Sequence, residues 1–263
     1  MNNELRLIIT EMVKRSGEGH LPSSFSIVDI IEFLYRNVLK ITPETVNSED
    51  RDFFILSKGH GCAALYAVLH KFNFLKDQDI LDYSTSKGIL GGHPDSTKIP
   101  GVEASTGSLG HGFPTAVGVA LGLKIKKKSN RVFVLLGDGE CHEGTIWESA
   151  LVAQKLKLDN LCVIVDLNGS AAQILPHPDI NRQWEAFGWN VCEADGHFEK
   201  ELDSVLEKFK TDDNGKPTAI IAHTVKGKGV SFMENEVRWH HTIPSQSEVI
   251  LARQELHFDT TEL

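Results

Sequence analysis

Cysteine is scarce and scattered in this chain: Cys62, Cys141, Cys162 and Cys192 are its four, and none has a partner at a metal-binding spacing. That pattern suits reduced, buried thiols in a cytoplasmic protein better than a disulfide framework. Long apolar runs are missing as well. No stretch approaches the ~20 residues that a membrane-spanning helix needs, and the start is a charged amphipathic pattern without a small-residue cleavage site. Positive charge is in deficit. With 27 Lys+Arg against 36 Asp+Glu the formal net charge is −9, so a general field attracting nucleic acid or an anionic membrane is not expected. An anionic ligand has to be held locally. Neither an internal repeat nor a low-complexity segment is present.

What remains is a chain of 263 residues with 41% hydrophobic content, enough for one large α/β domain over 1–263 with an extended tail from about 225. Helical periodicity runs over 2–14 and 26–39, and the apolar run 53–56 reads as a strand broken at Ser57-Lys58-Gly59-His60. A buried helix over 62–69 follows, then a Gly-rich loop region at about 84–112 and a helix over about 113–126. Strands at 131–136, 161–165, 189–192 and 218–223 alternate with helices at 143–156, at a short helix closing with 184–187, and at 199–209. Apolar strands alternating with helices predict a parallel sheet covered on both faces. In such sheets ligands sit beyond the carboxyl ends of strands, so the loops after Leu136, Val165 and His223 are where chemistry is expected.

The strand ending at Leu136 runs directly into Gly137-Asp138-Gly139-Glu140, and the one ending at Val165 into Asp166-Leu167-Asn168-Gly169. If the two strands are neighbours, the Asp138 carboxylate and the Asn168 amide oxygen meet above one sheet edge. Two hard oxygen ligands, completed by waters and phosphate oxygens, are how Mg²⁺ is usually held to a diphosphate. Flanking glycines allow close backbone approach. A lone Gly-Asp-Gly is more often an ordinary turn; the paired Asn changes that balance.

Here the sequence resembles the thiamine-diphosphate enzymes, and GDGECHEGTIWESALVAQKLKLDNLCVIVDLN (137–168) is similar to the transketolase branch. The resemblance extends from SGEGHLPSS (16–24) through ILSKGHG (55–61), GGHPD (91–95) and STGSLGHG (105–112) to VKGKGVSFMEN (225–235) and WHH (239–241). It implies a thiamine-diphosphate-binding fold, with Asp138, Asn168 and the Ser170 carbonyl as Mg²⁺ ligands and the Gly139 amide on the diphosphate. Gly107, Ser108 and Leu109 would lie against the thiazolium and pyrimidine rings. Glu143 matches an acid that sits at a dimer interface and links two active sites. His60 would contact the cofactor diphosphate, and His240 would also line the cofactor.

Twelve histidines are a high count, and four fall in the matched loops: His20, His60, His93 and His240. A single loop histidine is usually solvated or capping; the clustering is the signal. By resemblance, His20 and His240 face the sugar's reacting groups and His93 holds the hydroxyl beside the donor carbonyl. Imidazole suits that work because its ordinary pKa lies near operating pH. His111 and His241 count as supporting residues at best. Lys226 and Lys228 offer a phosphate-binding pair, but they read better as solvated turn lysines, since no helix N-terminus adjoins them, and Cys141 reads as a small packing residue.

The resemblance further implies a cofactor held between two domains, of which this chain carries one. A C-terminal transketolase subunit with the pyrimidine-binding domain is therefore the expected partner, around a homodimer core in a heterotetramer, with a sugar phosphate as substrate. The pattern also departs from the family. Leu167 replaces a residue of the usual Asp-Asn-Asn-Gly turn, and the connection over 169–180 is shorter. Both changes point to an unusual ketose, such as a branched, deoxy or sulfonated one. A 2-oxo acid dehydrogenase component or a deoxyxylulose-phosphate-synthase-like enzyme would share the Gly-Asp-Gly turn but not the full set of histidine loops. A non-catalytic subunit would be free to lose them.

Overall fold

The computed structural model describes residues 2–177 and 179–259. Among these, five strands, β1 (Phe53–Leu56), β2 (Val132–Gly137), β3 (Leu161–Leu167), β4 (Asn190–Asp195) and β5 (Thr218–His223), form one sheet in the order β1-β2-β3-β5-β4. Every pairing is parallel, as the alternation of elements requires. Side chains of successive strand residues point to opposite faces. Phe133, Leu135, Cys162, Ile164, Ile220 and Ala222 accordingly enter one core, and Val132, Val134, Leu136, Val163, Val165 and Ile221 the other. Strands buried on both faces leave no polar alternation to see, which is why β2 and β3 read as continuous apolar runs.

The first core is covered by α1 (Asn3–Ser16), α2 (Leu21–Phe25), α3 (Val28–Phe33), α4 (Cys62–Lys71) and the short α5 (Asp77–Leu81). On the other face lie α6 (Gly112–Ile125), α7 (Gly144–Lys155) and α8 (Ile180–Ala186). Returning to the first face, α9 (Glu199–Thr211) and α10 (Gln246–Glu255) complete the cover.

Three elements differ from expectation. The single helix expected over 26–39 is α3 prolonged by a π turn at Leu34–Val38, with α2 already formed before it. The element α5 precedes the Gly-rich loop unannounced. The residues after 225 are not all loop: Trp239 is buried, and α10 places Val249 and Ala252 inside. Only those two positions of α10 are buried, so its periodicity is faint. Its start is nonetheless marked by a capping box, in which Ser245 accepts from the Glu248 amide and the Glu248 carboxylate accepts from the Ser245 amide. Among the described residues, no helix is long and apolar enough to cross a membrane.

Candidate functional site

Strand register sets the site. Gly137 at the end of β2 stands opposite Asp166 on β3, and the Asp138 amide donates to the Asp166 carbonyl at 3.2 Å. Asp138 and Asn168 thus rise from adjacent strand ends, both buried. The Asp138 carboxylate accepts from the Gly139 amide at 2.8 Å and the Ala171 amide at 3.2 Å. Burial, followed by the nearby charge of Asp166, pushes its carboxyl above the usual range. Asn168 is oriented from below: its amide nitrogen donates to Asp166 Oδ2 at 2.7 Å. An ionised carboxylate only accepts, so the Asn168 oxygen is turned the other way, where it takes the Ser170 amide at 3.0 Å. Gly139 is exposed, and a Cβ added to it would meet nothing within 4 Å. The protein's own packing does not require glycine there, and the turn opens onto free space.

Asp166 is the buried anchor of this edge. It accepts from Lys58 at 2.5 Å, Ser26 at 2.8 Å and also Thr224. Burial raises its carboxyl, but the Lys58 ammonium and the other donors outweigh that and leave it below its ordinary value. Glu140 anchors the preceding loop in the same way, accepting from Ser57 at 2.5 Å and from the amides of Gly110 at 2.8 Å and Gly137 at 3.2 Å. Neither Asp166, Lys58 nor Glu140 was singled out from the sequence. A charge at the end of an otherwise apolar strand was the available signal.

Beside the Asn168 turn lies a cavity of about 410 Å³ whose lining includes Gly139, Asn168, Ser170, Ile174, Lys226 and His240. Lys226 corrects the reading of a solvated turn lysine. It is only 7% exposed, and its ammonium donates to Ser170 Oγ and to His240 Nδ1, each at 2.8 Å. Burial, then repulsion from Lys58, lowers it to about 8. No helix N-terminus was needed to bring it in. The turn at Gly227, with φ 80°, folds the segment back so that the Gly227 amide bonds the Pro22 carbonyl at 3.1 Å. Lys228 is bound through its carbonyl, which accepts from Arg6.

His20, His60 and His240 come together from three distant segments. Ring centroids are 5.2 Å apart for His20 and His60, 5.3 Å for His20 and His240, and 5.8 Å for His60 and His240. Burial, then the charges of His241, His240 and their neighbours, lowers His20 to about 4. His60 falls further, to about 2, through burial and then Lys58. His240 is also lowered, first by burial and then by Lys226. At neutral pH the three are uncharged imidazoles, each able to give a proton at one nitrogen and accept at the other.

His93 is exposed at the edge of this group, near enough to His20 to oppose its protonation. A Cβ on Gly107 would lie 3.0 Å from its ring, and one on Gly59 would lie 2.9 Å from the Gly107 amide. The Gly107-Ser108-Leu109 loop is therefore wedged between His93 and the His60 segment. Ser108 is exposed and Leu109 half-buried. His111 is exposed, its Nδ1 3.0 Å from the Leu109 carbonyl oxygen. Glu143 is the outlier: it caps α7 with its side chain exposed, packed near Gly110. Cys141 is fully buried, and all four cysteines are free.

Fold and site together define the cofactor-diphosphate-binding part of a thiamine-diphosphate-dependent transferase. The chain belongs to the family described as transketolase, thiamine diphosphate binding domain, which matches residues 1–263. It is 40% identical over 256 residues to an apulose-4-phosphate transketolase subunit from Actinobacillus succinogenes, covering 95% of this chain and 92% of that one. It is 38% identical to the 6-deoxy-6-sulfo-D-fructose transketolase subunit of a Clostridium species, covering 91% of this chain and 88% of that one. Transketolase from Campylobacter jejuni superimposes with a TM-score of 0.90 at 27% identity over 98% of this chain. That match spans only 42% of the Campylobacter chain.

Proposed function

We propose that this chain is the diphosphate-binding subunit of a split transketolase, transferring a two-carbon ketol unit from a ketose phosphate to an aldose phosphate. The observation that carries the reading is one juxtaposition. Two oxygen-bearing side chains, Asp138 and Asn168, stand just past adjoining strand ends, and the cavity beside them is lined by Lys226 and by His240, whose ring lies 5.3 Å from that of His20.

The residues fit the cofactor. Asp138 Oδ, Asn168 Oδ1 and the Ser170 carbonyl offer hard oxygens for Mg²⁺, while diphosphate oxygens and water complete the shell. Lys226 and the open Gly139 turn would receive the diphosphate, with His60 beside them. When bound, thiamine diphosphate supplies the nucleophile and the electron sink for cutting the bond between the second and third carbons of the ketose. The protein's part is to hold, orient and move protons. In this reading His20 and His240 take a proton from the departing hydroxyl and return it to the acceptor's carbonyl oxygen, and His93 holds the neighbouring hydroxyl. Gly107, Ser108 and Leu109 form the wall beside the rings.

A partner chain bearing the pyrimidine-binding domain completes the site in this reading, and the naming of the relatives as subunits supports it. Glu143, exposed at the start of α7, joins two copies of this chain as the core of a heterotetramer. A cytoplasmic location belongs to the same proposal, in keeping with four free cysteines. The sugars for which the relatives are named, apulose 4-phosphate and 6-deoxy-6-sulfo-D-fructose, are the donors to compare with the ordinary pentose phosphates.

With the partner present, chelating the divalent cation should abolish transfer from xylulose 5-phosphate to ribose 5-phosphate, and added Mg²⁺ should restore it. Transfer that persists in EDTA at full rate would contradict the proposal. A kcat/KM for xylulose 5-phosphate equal to that for every branched or sulfonated donor would remove the case for a specialised sugar.

A further inference from the structure

We infer that Glu18 and His241 form a second acid–imidazole pair on the sugar side of the histidine group and read a hydroxyl of the aldose, so that they set acceptor specificity. The inference rests on the transketolase reading above and assigns residues that the motif resemblance left as supporting or did not mention.

His241 Nε2 lies 3.3 Å from Glu18 Oε1. The His241 ring is 4.6 Å from that of His20, closer than His20 comes to His60 or His240. A Cβ on Gly92 would stand 3.5 Å from Glu18 Oε1, so the carboxylate also touches the loop that carries His93. Glu18 thereby joins three segments that converge on the reacting position: its own loop leading to His20, the Gly91-Gly92-His93 turn, and the His240-His241 step. Both members of the pair are about half exposed, at 52% for His241 and 45% for Glu18, so a ligand can reach them. Nδ1 of His20, next to them, is buried without a hydrogen-bond partner among the described residues.

Chemistry decides what the pair takes. An imidazole that donates its Nε2–H to a carboxylate keeps Nδ1 as an acceptor beside the free carboxylate oxygen, and both match the hydrogen that a sugar hydroxyl donates. The same carboxylate repels phosphate or sulfonate, so the charged end of the sugar has to lie away from this pair. If His20 and His240 serve the carbon being joined, His241 falls beside the first or second hydroxyl beyond it. A site built to bond a hydroxyl discriminates strongly against the analogue lacking it, because its own polar groups are then left unpaired.

The test uses the chain assembled with its partner, thiamine diphosphate and Mg²⁺. Ribose 5-phosphate, 2-deoxyribose 5-phosphate and 3-deoxyribose 5-phosphate are compared as acceptors for wild type, Glu18→Gln and His241→Asn. In wild type, one deoxy acceptor should be used about 10-fold or more less efficiently than ribose 5-phosphate. Each variant should lose about 10-fold in kcat/KM for ribose 5-phosphate and stay within about twofold for that deoxy acceptor. The double variant should lose no more than either single one, since the pair acts together. Urea midpoints should be unchanged, as expected for an exposed ion pair. Equal losses for all acceptors, or no loss in either variant, would overturn the assignment while leaving the transketolase reading intact. No transfer by wild type with its partner would overturn both.

Discussion

Asp138→Ala should weaken thiamine diphosphate binding, measured by calorimetric titration at saturating Mg²⁺ on the assembled protein, by about 100-fold or more. Loss of an outer residue around a metal already costs about 10–100-fold in affinity, and Asp138 is proposed as a direct ligand. Its side chain also takes two backbone amides, those of Gly139 and Ala171. The alanine variant therefore leaves buried donors unpaired, at about 1–3 kcal/mol of stability. Asp138→Asn separates the two effects. It keeps the shape and one oxygen, enough for one of the two amides that bond separate carboxylate oxygens, so part of the stability loss is spared while the affinity still collapses with the charge. Cofactor affinity within about threefold of wild type in Asp138→Asn would show that the carboxylate is not the ligand claimed, because a metal ligand's charge counts directly.

The second large effect concerns stability. Lys58→Met should destabilise the protein by about 3–5 kcal/mol in urea unfolding, the usual result of stripping one partner from a buried ion pair. The Asp166 side chain is fully buried, and Lys58 supplies the charge that holds its carboxyl below the ordinary value. The pH dependence has a definite sign. Because the folded carboxyl is depressed, its contribution in wild type is complete above its unfolded value of about 4 and is lost as pH falls further. In Lys58→Met the buried carboxyl without its cation is raised instead, so the variant regains stability as pH falls toward about 4 while wild type loses its own contribution below that, and the gap should narrow across both ranges. Replacing both members, as Lys58→Met with Asp166→Leu, should recover much of the stability. Cofactor binding should not recover with it, since Asn168 loses the acceptor that orients its amide. A Lys58→Met variant as stable as wild type at pH 7 would mean the pair does not hold the site together.

The limits of reading this molecule from its sequence follow from which facts are local. The strands at 53–56 and 218–223 were legible to the residue, because apolar runs there are bounded by turn formers. The meeting of Asp138 and Asn168 was legible too. Each follows a strand, and two parallel strands joined by one helix are commonly neighbours. Lys226 was misread because its burial depends on a turn docking onto α2 and on the Ser170 loop, neither of which leaves a mark near residue 226. Asp166, Lys58 and Glu140 carry a local mark, a charge at or just past an apolar strand, but the partners that give each its role come from distant segments. The tail hid α10 because one face of two small apolar residues sufficed to dock it, and only its capping box was written locally. The histidine loops were legible as motifs, but their convergence to within 6 Å comes from the packing of three separate segments.

Ketol transfer from xylulose 5-phosphate to ribose 5-phosphate, with thiamine diphosphate and Mg²⁺, should be measured on this chain alone and after adding its pyrimidine-domain partner. Turnover only with both chains is the predicted result. Turnover by this chain alone, or binding of the cofactor that the partner leaves unchanged and inactive on every ketose, would contradict it.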